Sequence, residues 1–260
     1  MDFPDMMNLE ERGPDSLIGR GPSYPWGGLY GGQIVAQSLV AAASTVDPQY
    51  RVHSLHAYFI RRGDSDEPIR FDVDRLRNGR NFVTRAVVAR QSRGAIFHMS
   101  ASFSSTPADR YLQPSPFPDV PPPDRVADGS WAKMMERRHI IDVDGRSTAW
   151  LRVPGAPADD PVVAAAALAF MSDDLATDCV RSQQQAADGV TGRHWGGISL
   201  DHAIWFHHPV TGNDWQLHDF RCEGLGTPRG LAKGQVFASD GTHLATVAQE
   251  VLLRPVTPPA

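Results

Sequence analysis

Between Trp195 and Pro209 the chain reads WGGISLDHAIWFHHP, a short stretch that holds a serine, an aspartate and three histidines. Three readings suit such residues: a metal held by the histidines, a nucleophilic serine served by histidine and aspartate, and a strand whose polar residues serve another purpose. Strand alternation puts Ser199, Asp201, Ala203, Trp205 and His207 on one face and Leu200, His202, Ile204, Phe206 and His208 on the other. Adjacent His207 and His208 then point apart, whereas zinc needs converging ligands, so no metal is expected. These histidines read as hydrogen-bonded structural residues near a strand end. No G-x-S-x-G elbow surrounds Ser199, which argues against a nucleophile.

Two other places carry polar groups in apolar surroundings. MSDDL sets Asp173 and Asp174 at the end of an apolar helix, and VAQE sets Gln249 in an apolar final strand where a buried amide needs a partner. A carboxylate at a helix C-terminus, desolvated and beside a second acid, is strengthened as a base.

The elements that must hold these residues follow from pattern and punctuation. GGQIVAQSLVAAAST, Gly31 to Thr45, predicts a helix buried on almost every side, after a glycine-rich approach PWGGLYGG. VHSLHAYFIRR and the segments to Ser105 predict an antiparallel sheet with turns at Asn78-Gly79 and Ser92-Arg93-Gly94. Proline-rich sequence from Pro107 to Pro123 reads as a linker. Beyond it, RRHIIDVDGRSTAWLRV predicts a strand pair. DDPVVAAAALAFMSDDL, Asp159 to Leu175, predicts a second apolar helix capped by Asp160 with Pro161 at its first position. Strands then follow, the last two joined at Ser239-Asp240-Gly241. SLHAYFIR at Ser54 and SLDHAIWFHH at Ser199 lie 199 − 54 = 145 positions apart and occupy matching places, which predicts an internal duplication. The divisions expected are 1–106, a linker at 107–130, and 131–260.

Bulk properties exclude several classes. A net charge of −5 without a basic block gives no attraction to nucleic acid. Only two cysteines, Cys179 and Cys222, rule out a disulfide framework and favour a reducing, cytoplasmic setting. No secretory signal and no membrane span are expected, because no apolar run of about 18 residues occurs. Arg75, Arg77, Arg80 and Arg85 read as a solvated sheet face rather than a phosphate site.

The order GGQIVAQSL, VHSLHAYFIRRGDSDEPI, RNGRNFVTRAVVARQ and IFHMSASF resembles the N-terminal half of the acyl-CoA thioesterase II family, and MSDDL, SLDHAIWFHHP, RGLAKGQVF and VAQE resemble its C-terminal half. That resemblance implies an α+β double hotdog, two tandem units each with a long helix wrapped by an antiparallel sheet. It also implies hydrolysis of acyl-CoA without a covalent intermediate, by a water held by Asp173, Ser199 and Gln249. No cofactor is implied beyond the coenzyme A of the substrate, and a homo-oligomer is expected. The chain departs from the family at Asp174, where an apolar residue is usual, and DDLATDCVRSQQQAADG matches nothing placed. Oxyanion donors are expected among backbone N–H groups near the glycine-rich approach to a helix, with no residue singled out. Two rivals remain: a hotdog enoyl-CoA hydratase using Asp201 and His202, and an acyl-CoA binder without turnover.

Overall fold

The computed structural model describes residues 1–106, 110–189, 194–226 and 228–256. Its first half runs α1 (Phe3–Met7), β1 (Glu10–Glu11), β2 (Ser16–Gly19), α2 (Gly31–Ala43), β3 (Arg51–Phe59), β4 (Ile69–Asn78), β5 (Phe82–Gln91) and β6 (Gly94–Ser104). The second runs β7 (Glu136–Val143), β8 (Arg146–Arg152), α3 (Pro161–Ser172), α4 (Ala176–Asp188), β9 (His194–Ser199), β10 (Asp201–Phe206), β11 (Gln216–Gly226), β12 (Arg229–Ala238) and β13 (His243–Val256).

The two apolar helices form where their sequences demand. Asp160 caps α3, its carboxylate accepting from the N–H groups of Val162 and Val163 at 2.9 and 3.1 Å, and Pro161 takes the first helical position. The helix stops at Ser172, three residues short of the predicted end, with Asp173 as its C-cap. α2 has no side-chain cap at Tyr30, and its polar residues Gln33, Gln37 and Ser38 are buried. Two of them are put to use: Gln33 accepts from the Tyr24 hydroxyl at 2.9 Å, and Gln37 donates to Met6 O and Arg20 O. The N-terminal segment and the glycine-rich loop are thereby fastened to α2.

All strands but one form a path in the order β1-β2-β4-β5-β6-β3-β10-β13-β12-β11-β8-β7, with β9 on the remaining stretch of β13. Each half supplies a set of antiparallel strands to this path, β1 to β6 from the first and β7, β8 and β10 to β13 from the second. The halves join through β3 and β10, antiparallel with His56 opposite Ala203. Small residues let α2 and α3 lie close together, antiparallel, inside the sheet: Phe170 of α3 meets Tyr30 at the start of α2, their rings 5.0 Å apart. No helix among the described residues is long and apolar enough to cross a membrane.

Three expectations need correction. The segment after Asp174, which matched nothing, folds as α4 and buries Ala176, Cys179 and Val180. In ATDCVRSQQQAAD the buried residues Ala176, Cys179, Val180 and Gln184 recur at helical spacing within an otherwise polar segment. Arg85 is not solvated: it is 2 % exposed and donates to Thr45 Oγ1, Thr45 O, Arg77 O, Thr84 O and Asn78 Oδ1, pinning the chain that leaves α2. Arg75 does face solvent, paired with Asp15. The proline-rich stretch is also more than a spacer. Phe117 and Val120 pack on Phe237 and Trp150, whose indole donates to Pro121 O at 2.9 Å.

Candidate active site

Asp173 stands where the end of α3 meets the beginning of α2. Its Oδ2 accepts from the Gly32 backbone N–H at 3.0 Å and its Oδ1 from the Ser199 hydroxyl at 2.9 Å. Only glycines fit opposite it. A Cβ on Gly31 would lie 2.5 Å from Asp173 Oδ2, and one on Gly32 would lie 2.2 Å from Phe170 O. The glycine-rich approach therefore serves contact between helices, and among the described residues its Gly32 amide is the one backbone donor at this carboxylate. Gly31→Ala is predicted to push the carboxylate aside and lower kcat about 10²-fold, the effect of a misplacement near 1 Å; steady-state kinetics with a parallel thermal melt check this. Undiminished kcat would mean that the Asp173 position is not critical.

Ser199 reaches Asp173 because the strand alternation is broken. Ser199 of β9 pairs with Val251 and Ala203 of β10 with Ala248, so four steps on one side match three on β13. The extra residue at Leu200–Asp201 is a bulge that re-aims the side chains on either side of it. Simple alternation puts Ser199 and His202 on opposite faces; in the structure both point inward. Gln249, fully buried, sits between them, with Nε2 donating to Ser199 Oγ at 2.8 Å and Oε1 2.5 Å from His202 Nδ1. Its amide is thus satisfied at both ends. Asp201 points away and accepts from the Glu250 N–H, which leaves no Asp201–His202 catalytic pair.

Burial pushes the Asp173 carboxyl up to about 6, against the hydrogen bonds from Ser199, Gln249 and Gly32, and Asp174 raises it further. Asp174 is also pushed up to about 6 by burial, opposed by Arg137, but it turns away from Ser199. It accepts from the Trp131 indole at 2.7 Å and faces Arg137 Nε at 3.4 Å, while Arg137 also bonds Asp178 at 2.8 Å. Asp174 is thus part of a buried ion-pair group behind the site. Trp131 continues into a wall of rings with Tyr24, Trp26 and Tyr30, of which Trp26 is exposed.

The remaining histidines of the WFHHP stretch lie elsewhere. His207 bonds Thr246 and His208 bonds His243 O, stacked on Tyr111. Among the described residues no three His, Cys, Asp or Glu side chains converge as a metal would require. A cavity of about 1040 Å³ opens at the other end of the helix pair, between Leu39 and Ala43 of α2 and Val162 and Ala165 of α3. Sequence reading singles out neither Gly32, Trp131 nor Arg137 and takes His202 only as a structural residue or a hydratase partner, because their places depend on contacts between distant segments.

Comparison with known proteins gives a consistent picture. Residues 21–104 match the model of the acyl-CoA thioesterase N-terminal domain, and residues 108–253 that of the C-terminal domain. The chain is 32 % identical to acyl-CoA thioesterase 2 of Haemophilus influenzae over 92 % of this chain and 93 % of that protein. Human acyl-coenzyme A thioesterase 8 is 31 % identical over 96 % of this chain and 88 % of its own. Among solved structures, an acyl-CoA thioesterase II from Mycobacterium marinum superposes with a TM-score of 0.84 at 33 % identity, covering 98 % of this chain and 99 % of that one.

Proposed function

The chain belongs to the acyl-CoA thioesterase II family and is a double-hotdog thioester hydrolase, and on that premise we propose that Asp173, Ser199 and Gln249 activate the water that cleaves acyl-CoA. One observation supports this reading above others. Three polar side chains from α3, β9 and β13, far apart in sequence, form a continuous hydrogen-bonded group around a buried carboxylate of raised basicity.

In this reaction the ionised Asp173 takes a proton from water while the water oxygen attacks the thioester carbonyl. Ser199 and Gln249 aim that water, since a hydroxyl and an amide can each both donate and accept. The tetrahedral oxyanion forms near the start of α2, where the helix dipole favours negative charge. On collapse the C–S bond breaks, and Asp173 returns its proton to the leaving coenzyme A sulfur. Fatty acid and free thiol are released, and the carboxylate is restored without an acyl-enzyme.

The test is thiol release from short, medium and long acyl-CoAs, measured against pH. Asp173 works in its ionised form, so activity is predicted to be lost as pH falls through its raised pKa. Log kcat/KM should rise with unit slope to a bend near pH 6 and be flat above it. A single turnover in ¹⁸O-water should put the label in the fatty acid. No thiol from any substrate would remove the enzymatic reading. An unlabelled first-turnover acid would instead indicate attack by the Asp173 carboxylate itself.

A further inference from the structure

The hydrogen-bonded group does not end at Gln249. From Gln249 Oε1 it continues to His202 Nδ1, and from His202 Nε2 to Ser172 Oγ at 2.8 Å, where the last hydroxyl also lies 3.0 Å from Ala169 O. Ser172, His202 and Gln249 are all fully buried. The chain of contacts thus leaves Asp173 through β9, β13 and β10 and returns to α3 one residue before it started.

Each link has only a few protons, so the direction of one bond sets the next. A carboxylate can only accept, so the single Ser199 proton goes to Asp173 Oδ1, and Ser199 Oγ must accept in turn. Gln249 must therefore present its NH₂ to Ser199 and its oxygen to His202. That oxygen needs a donor, which His202 supplies only with a proton on Nδ1. The Nε2 atom is then an acceptor, and the Ser172 hydroxyl turns to it from Ala169 O. With the proton on Nε2 instead, a bare Nδ1 would face a carbonyl oxygen. The amide would turn over, present Oε1 to Ser199, and draw the serine proton away from Asp173.

We propose that His202, held as the neutral Nδ1–H tautomer, is a positioning residue that fixes the Gln249 amide and so aims the Ser199 hydroxyl at Asp173. This rests on Asp173 being the base. Burial lowers the His202 pKa to about 4, so the ring stays neutral while Asp173 titrates near 6. The other ionisable groups facing Asp173 are Asp174 beside it and Tyr30 from the start of α2, with Arg137 of β7 behind Asp174. Asp201 and Glu250, on β10 and β13, meet each other through the Asp201 carboxylate and the Glu250 N–H, and are not part of the buried chain of contacts.

Two variants and one spectrum test the proposal. In His202→Leu the donor is gone; in His202→Asn a side-chain N–H stands near the place of Nδ1–H. The leucine variant is expected to lose about tenfold to hundredfold in kcat with KM within about threefold. Its acid limb should move up by about one pH unit, because Asp173 loses the hydrogen bond that favours its charged form. The asparagine variant should restore most of kcat and return the limb. In ¹⁵N NMR of the native protein, His202 should show a protonated Nδ1 and an unprotonated Nε2 from pH 5 to 8. An Nε2–H tautomer overturns the proposal. Equal losses in both variants with an unmoved acid limb also overturn it, by reducing His202 to packing. If the leucine variant does not fold, the native spectrum still decides. A native chain inert toward every acyl-CoA would defeat the assignment of Asp173, a result separate from the tautomer that the spectrum reads.

Discussion

Asp173→Asn is expected to lower kcat for acyl-CoA hydrolysis by about 10²–10⁴-fold, the range for removal of a positioned general base, with little change in KM. The substitution keeps the shape of the side chain and an oxygen that can accept from Gly32 N–H, so α2 and α3 should stay joined. The amide cannot take a proton from water. The bend near pH 6 should vanish from whatever activity remains, since that bend belongs to the Asp173 carboxyl. Steady-state kinetics across pH, with a thermal melt to show that the fold is kept, provide the check. A variant retaining more than a tenth of native kcat would show that the base lies elsewhere. Asp174→Asn gives the contrast: its carboxylate bonds Trp131 and faces Arg137, so its loss should act on stability before it acts on the chemistry.

The largest effect on stability is expected at Arg137. Its guanidinium, 15 % exposed, lies between Asp174 and Asp178, at 5 % and 13 %. Arg137→Met keeps much of the volume but leaves buried Asp174 without a counter-charge, and Asp178 with Arg181 alone. Breaking a buried pair in this way costs about 3–5 kcal/mol at neutral pH, or a fall of about 10 °C in Tm for a chain of this size. The pH dependence has a definite sign. Asp174 already titrates near 6 in the folded protein, above its unfolded value of 3.8, and removal of the cation raises it further. The folded variant then binds more protons than the unfolded chain, so its stability falls as pH rises through this window and recovers on acidification. Melts of native and variant protein at pH 5 and pH 7 should differ less at the lower pH. An equal deficit at both would locate the effect in packing alone.

The parts of this molecule legible in its sequence are those written in short-range patterns. The helix around α3 is announced by Asp160, Pro161 and an unbroken apolar run, and both strand sets by alternation and turn residues. Asp173, Ser199 and Gln249 were singled out through family resemblance, and the structure brings those three side chains together. Periodicity alone misplaces one of them. It assigns Ser199 to the face opposite His202, because a bulge is decided by how two strands pair, and nothing in ISLDHA marks it. Arg137 illustrates the other kind of silence. It reads as an ordinary charged strand residue until α4 brings Asp178 to it and the end of α3 brings Asp174. Likewise Arg85 resembles its solvated neighbours in RLRNGRNFVTR, and only the chain leaving α2 covers it.

Two antiparallel helices have two places where the end of one meets the beginning of the other. At one, Asp173 addresses Gly32. At the other, Ser44 and Thr45 follow α2 and turn their hydroxyls back to Ala41 O and Ala42 O, while the Asp160 carboxylate is occupied by the amides of α3. Among the described residues, the duplicated scaffold therefore sets a carboxylate against a facing helix amide at one of these two junctions only. With Asp173 as the proposed base, a 260-residue chain counts as one catalytic equivalent, and each equivalent draws on both halves, since the acid comes from the second and the amide that meets it from the first.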